Sequence, residues 1–113
     1  MIIQHKTLAG GHWYELSICE QLGNIGSEIN RAMVWKEKNE KKYQGVIDRA
    51  LELMDLTLQD PRWCNERLQE LKQVREMIID ARSGGKKYGS TLEDLDRYFF
   101  AFAYAARLER ERV

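Results

Sequence analysis

Histidine, cysteine and proline are all scarce in this chain, and each scarcity closes off a class of protein. His5 and His12 are the only histidines, and both precede every arginine. A helical ribonuclease site built on an arginine closely followed by a histidine therefore has no place to form. Neither histidine has a glutamate three residues before it, which removes the Glu-x-x-His ligand sets of di-iron bundles. His12, beside a glycine pair, reads as a polar residue at a helix start. Cys19 and Cys64 are the two cysteines. A closed zinc site takes four ligands and a disulfide framework takes several pairs, so neither is on offer. Both cysteines sit in helical patterns and read as small buried apolar side chains in a reducing compartment. One proline, Pro61, and charges spread along the chain leave no low-complexity segment. No apolar run approaches membrane-spanning length, and Met1-Ile2-Ile3-Gln4-His5-Lys6 lacks the apolar core of a secretory signal. The expected location is cytoplasmic. Charge of one sign is also missing: 18 Lys+Arg balance 18 Asp+Glu. Bulk charge gives no attraction to nucleic acid or membrane, so such contact must come from local clustering.

What is present is helical periodicity. The 113 residues suit one domain with one core, and 43% apolar with 32% charged residues is a globular composition. Residues 1–11 end in Gly10-Gly11 and read as a flexible lead-in. From His12, apolar Trp13, Leu16, Cys19, Leu22, Ile25, Ile29 and Met33 recur in steps of three and four, predicting a helix over about 12–37. Gly23 and Gly26 lie inside it. Each costs about 0.5–1 kcal/mol relative to alanine, a cost offset if they, with Ser27 and Ala32, let a neighbouring helix approach closely. Glu37 to Lys42 is wholly polar and reads as a turn, with Asn39 capping a second helix over about 40–59. Its apolar face is Tyr43, Val46, Ile47, Ala50, Leu51, Met54 and Leu58. Asp60-Pro61 reads as N-cap and first residue of a third helix over about 61–83, with Cys64, Leu68, Leu71, Val74, Ile78 and Ala81 inward. Ser83-Gly84-Gly85 ends it. Ser90-Thr91-Leu92-Glu93 has the form of a capping box, with Ser90 as cap, before a fourth helix over about 91–112. Strand alternation with hairpin chemistry is lacking. The expected fold is all-α, an antiparallel up-down-up-down four-helix bundle.

Catalytic motifs are thin. The nucleophile elbow, P-loop and dinucleotide fingerprint are missing, and Gly84-Gly85-Lys86-Lys87 lacks phosphate-wrapping spacing. All-α nucleotide pyrophosphatases gather magnesium on Glu-x-x-Glu and Glu-x-x-Asp motifs. Glu37/Glu40 and Glu52/Asp55 match those motifs and define the enzymatic alternative. However, a magnesium cluster needs carboxylates around a shared ion, whereas the first pair lies in the polar turn and the second roughly 20 Å away along the adjoining helix. Asp48, Glu52 and Asp55 share one helical face, read as solvated with counter-charges from Arg49 and neighbouring helices. No cofactor or metal is expected.

Two clusters remain. In an up-down bundle the first and third turns share an end. Lys36, Lys38, Lys41 and Lys42 stand there against Glu37 and Glu40, joined by Arg82, Lys86 and Lys87. Trp35, Tyr43 and Tyr88 lie alongside and could stack on bases. The candidate nucleic-acid contacts, to RNA or DNA, are Lys38, Lys41, Lys42, Arg82, Lys86, Lys87 and Tyr88. On the fourth helix Leu92, Leu95, Phe99, Phe102 and Ala106 form one face. Tyr98, Phe100, Ala101, Tyr104 and Ala105 widen the apolar surface beyond the stripe a bundle helix needs. Those five residues are the candidate homo-oligomer interface.

Gly23-Asn24-Ile25-Gly26-Ser27-Glu28-Ile29-Asn30-Arg31, followed by the aromatic-led helix from Tyr43 to Leu58, resembles part of a known family. This is the four-helix-bundle family encoded in ribosomal-RNA intervening sequences, related to retroelement accessory bundles. The family has Asn-Ile-Ala-Glu-Gly and then Arg, where this chain sets Gly-Ser before the glutamate and carries a longer insert. Trp13 and the aromatic last helix fall outside the family pattern. The resemblance implies a small oligomeric bundle that contacts nucleic acid. The residues and the resemblance together lead us to expect a non-enzymatic interaction protein.

Overall fold

Apolar residues spaced three and four apart demand helices, and the computed structural model contains four, with no strand among the described residues, 11–112. Helical residues make up 77% of them. The lead-in expected over residues 1–11 lies, except for Gly11, outside the described residues. The helices are α1 (Ile18–Trp35), α2 (Glu40–Leu58), α3 (Asn65–Arg82) and α4 (Leu92–Glu111). None is long and apolar enough to cross a membrane.

Three helix starts differ from the sequence expectation, and local hydrogen bonds fix where each one falls. The first long helix does not run from His12. His12–Glu15 is a separate 3-10 turn, Leu16 is extended, and Ser17 opens α1. The Ser17 hydroxyl accepts the Glu20 N–H at 3.1 Å while the Glu20 carboxylate accepts the Ser17 N–H at 3.0 Å. That reciprocal box satisfies two orphan donors and fixes the start. Asp60 does not cap α3. It is buried, and its carboxylate accepts from the Arg62 guanidinium (2.7 Å) and from Gln21 (3.0 Å). The third helix therefore waits until Asn65, whose φ of 55° is one asparagine tolerates. Cys64 precedes it as a cap without a side-chain bond. At α4 the cap is Thr91 rather than Ser90, and its hydroxyl accepts the Asp94 N–H at 3.0 Å. Ser90 is instead drawn inward by Asp80, which accepts its N–H at 3.1 Å. Asn39 caps α2 as expected, accepting the Lys42 N–H at 3.0 Å.

Cross-helix pairs give the directions. Glu28 of α1 bonds Arg49 of α2, and Trp35 lies under Lys42. Asp48 and Asp55 of α2 pair with Arg82 and Arg75 of α3. Gly23, Gly26 and Asn30 of α1 face Ala103, Phe99 and Asp96 of α4. Residue numbers rise on one helix as they fall on its neighbour in all three pairs, so each pair is antiparallel. The most extensive packing is of α1 on α4 and on α2, and glycines permit the first of these: a Cβ at Gly26 would lie 2.6 Å from Phe99 Cβ. The core joins Leu22, Ile25 and Ile29 of α1, Ile47 and Met54 of α2, Leu71 and Ile78 of α3, and Leu95 and Phe99 of α4.

At the end of the bundle holding the start of α1, a buried polar set replaces apolar packing. Trp13 donates to Thr57 (3.1 Å), and Thr57 donates to the Leu53 carbonyl (2.8 Å). Fully buried Gln21 donates to the Trp13 carbonyl and to Asp60 and accepts from the Trp63 indole N–H at 2.7 Å. Burial would raise the Asp60 pKa, but the bonds from Arg62 and Gln21 hold it below the ordinary carboxylate value. The cysteine expectation is corrected: Cys19 is only half-buried, and Cys64 is exposed because it stands outside the helix it was expected to enter.

Candidate nucleic-acid interface

The turn between α1 and α2 and the loop between α3 and α4 meet at one end through side chains of α2. The Tyr43 hydroxyl donates to the Arg82 carbonyl (3.3 Å), and the Arg82 guanidinium donates to the Gln44 carbonyl and pairs with Asp48. That geometry assembles the lysine-rich end and also removes two residues assigned to it by sequence. The head group of Arg82 is held by α2, so it serves as a clamp rather than a phosphate contact. Tyr43 is buried in the core and has no free face for a base; burial first, and Glu40 second, push its phenol pKa up.

Lys38, Lys41, Lys42, Lys86 and Lys87 are exposed, and none forms an ion pair with a described residue. Beside the first turn, an open groove of about 650 Å³ is lined by Trp35, Asn39, Lys41, Lys42, Gly45, Val46 and Arg49. The Lys42 ammonium lies 4.3 Å from the centre of the Trp35 ring. Arg49, at the groove's far side, is bonded to Glu28 at 3.1 Å. Glycine at position 45 leaves the wall open, with no atom within 4 Å of where a Cβ would stand. Sequence reasoning placed Trp35 near the cluster but missed the groove, whose only trace is the Trp35–Gly45 juxtaposition across two helices.

The second loop is shaped by one carboxylate. Asp80, buried on the last turn of α3, accepts backbone N–H groups from Lys87 (2.8 Å), Tyr88 (2.9 Å) and Ser90 (3.1 Å). Burial would raise its pKa, but these donors hold it below the ordinary value. Gly85, at φ 74°, brings the chain round so closely that a Cβ would sit 2.5 Å from the Ser90 carbonyl. Tyr88 is thereby presented to solvent at 56% exposure, with the Lys87 ammonium 5.1 Å from its ring centre.

The carboxylates of the enzymatic alternative are spread out. Glu37 and Glu40 are exposed at the turn, Glu52 is buried, and Asp55 bonds Arg75 at 2.7 Å. The face expected to be solvated is in part an inter-helix seam, since Asp48, Glu52 and Asp55 each have a protein partner.

The interface candidates on α4 separate into two sets. Phe100, Tyr104 and Ala101 are exposed, whereas Tyr98 is half-buried against Phe99 and Phe102 and donates to Glu70 of α3. Tyr98 thus belongs to the protomer's own packing, and Ala105 is half-buried. Leu108, not anticipated, extends the outer stripe: exposures are 66% at Phe100, 53% at Tyr104 and 44% at Leu108. Comparison with protein families, with characterised proteins and with solved structures finds no match to this chain.

Proposed function

We propose that this chain is a non-enzymatic helical-bundle protein that works as a homo-oligomer and contacts RNA or DNA through its lysine-rich end. The observation that carries the reading is the combination of exposed Lys38, Lys41, Lys42, Lys86 and Lys87 with the exposed Tyr88 ring and the half-buried Trp35 ring that lines the groove. Ammonium groups follow a phosphate backbone, and aromatic faces take unstacked bases without regard to sequence. Lysine offers a point charge rather than the bidentate fork that reads base edges, so sequence preference is weak. The likeness of residues 23–31 and 43–58 to intervening-sequence bundles points the same way.

Titration of fluorescent single-stranded RNA and DNA tests the reading. If the five lysines neutralise five phosphates, log Kd against log salt should have a slope near 3.5, roughly a hundredfold loss between 50 and 200 mM. Lys41→Glu/Lys86→Glu should abolish binding at low salt and leave the helical content intact. Tyr88→Ala should weaken binding without changing the salt slope. Failure of the wild type to bind at low salt, or equal binding by the double variant, would make these turns ordinary solvated turns.

A further inference from the structure

The outer face of α4 presents Phe100, Tyr104 and Leu108 four residues apart, so they form one stripe, on the side of the helix away from core residues Leu95, Phe99 and Ala106. The Phe100 and Tyr104 rings stack at 6.5 Å. Charges flank the stripe at matched distances: Arg97 lies seven residues before Tyr104 and Glu111 seven after it. Each has only an exposed partner on its own helix, Asp94 for Arg97 and Arg107 for Glu111.

A second copy is the occupant this pattern fits, and the charges select its register. Parallel pairing of two α4 helices would set Arg97 against Arg97 of the partner subunit and Glu111 against Glu111 of the partner subunit. Antiparallel pairing centred at position 102 would set Glu93 level with Glu111 of the partner subunit and Arg97 level with Arg107 of the partner subunit. Centring on Tyr104 removes both conflicts. Phe100 then lies level with Leu108 of the partner subunit, the two Tyr104 side chains meet at the axis, and Arg97 faces Glu111 of the partner subunit at both ends. We propose that the protein forms a two-fold symmetric dimer through α4 in this register, an isologous interface in which each contact occurs twice.

The proposal deepens the homo-oligomer part of the function read above, and it places the lysine-rich ends. Leu92, next to that end, precedes Tyr104 by twelve residues, so the two ends lie about 36 Å apart along the pair. They form two separate contacts on a long ligand rather than one merged patch, and short oligonucleotides should gain nothing from dimerisation.

Sedimentation velocity across a concentration series tests it. The wild type should run as a dimer, about twice 13.3 kDa, at tens of micromolar. Tyr104→Glu should be a monomer with unchanged helical content. Arg97→Glu and Glu111→Arg should each weaken the dimer several-fold by setting like charges opposite one another, and Arg97→Glu/Glu111→Arg should restore it. A wild-type monomer at that concentration overturns both the dimer and the homo-oligomer reading. An oligomer indifferent to Tyr104→Glu, or one that the double charge reversal fails to rescue, overturns this interface and leaves homo-oligomerisation standing.

Discussion

Three helix-interior glycines, identical in sequence terms, should respond to alanine with three different outcomes. In every case the methyl group recovers helix propensity, about 0.5–1 kcal/mol. At Gly45 nothing lies within 4 Å of the new Cβ, so Gly45→Ala should stabilise by that whole amount. At Gly26 the methyl would stand 2.6 Å from Phe99 Cβ, well inside contact distance, and α4 must move off α1 to admit it. Overpacking of this kind costs about 1–3 kcal/mol, so Gly26→Ala should destabilise by about 1–2 kcal/mol net. Gly23 is intermediate, 3.1 Å from Ala103 Cα, and its two effects should nearly cancel. For a domain of this size each kcal/mol moves Tm by about 4–8 °C. Thermal and urea melts followed by far-ultraviolet circular dichroism separate the three. If Gly26→Ala matches or exceeds the wild type, α4 is not seated on α1 as described. If Gly45→Ala is destabilising, the groove beside Trp35 is not open.

Asp80 and Asp60 both have folded-state pKa values held below the ordinary 3.8. Their stabilisation is full only well above the unfolded-state value of 3.8 and is lost as pH falls through the lowered values. Asp80→Asn should lower Tm at neutral pH and flatten the acid limb of a Tm–pH profile; an unchanged limb would mean the loop donors do not act through this carboxylate. Exposed Cys64 should react with a thiol reagent at nearly its unfolded rate. Cys19, half-buried and with its thiol pKa raised by burial and then by Glu109, should react more slowly, and equal rates would contradict that burial.

The four-helix fold was legible because apolar periodicity is a local signal, read correctly at Leu22-Ile25-Ile29 and Leu71-Val74-Ile78 without knowing what they touch. Helix starts were legible only where the capping side chain had no better offer. Asn39 was read correctly because it is exposed and bonds three residues on. Asp60 was misread because Arg62, two residues on, and Gln21 of α1 take its carboxylate, and Ser90 because Asp80 of α3 draws its backbone N–H inward. Propensity rules price a side chain by its neighbours in sequence, and they fail where a buried carboxylate outcompetes the helix end. The same failure moved Cys64 from the expected core to the surface.

At the candidate site the difference between arginine and lysine decides what was legible. Counting positive residues placed Arg82, Lys86 and Lys87 in one class, yet α2 holds Arg82 while the lysines stand in solvent. The division runs through the molecule. Among the described residues, the ion pairs of Glu28, Asp48, Asp55 and Asp60 are all made by arginine, and no lysine takes part in one. A planar guanidinium can serve a carboxylate and a carbonyl together, as Arg62 does with Asp60 and the Leu16 carbonyl and Arg82 with Asp48 and the Gln44 carbonyl. An ammonium is more strongly hydrated and costs more to withdraw from water. Arg49, Arg75 and Arg82 are therefore consumed in holding helices together, and at the candidate site the lysines remain as the positive charge available to a partner. A chain with zero formal net charge can in this way present a basic end, because its neutrality is the sum of internal arginine–carboxylate pairs, exposed acids elsewhere, and lysines gathered at two neighbouring turns.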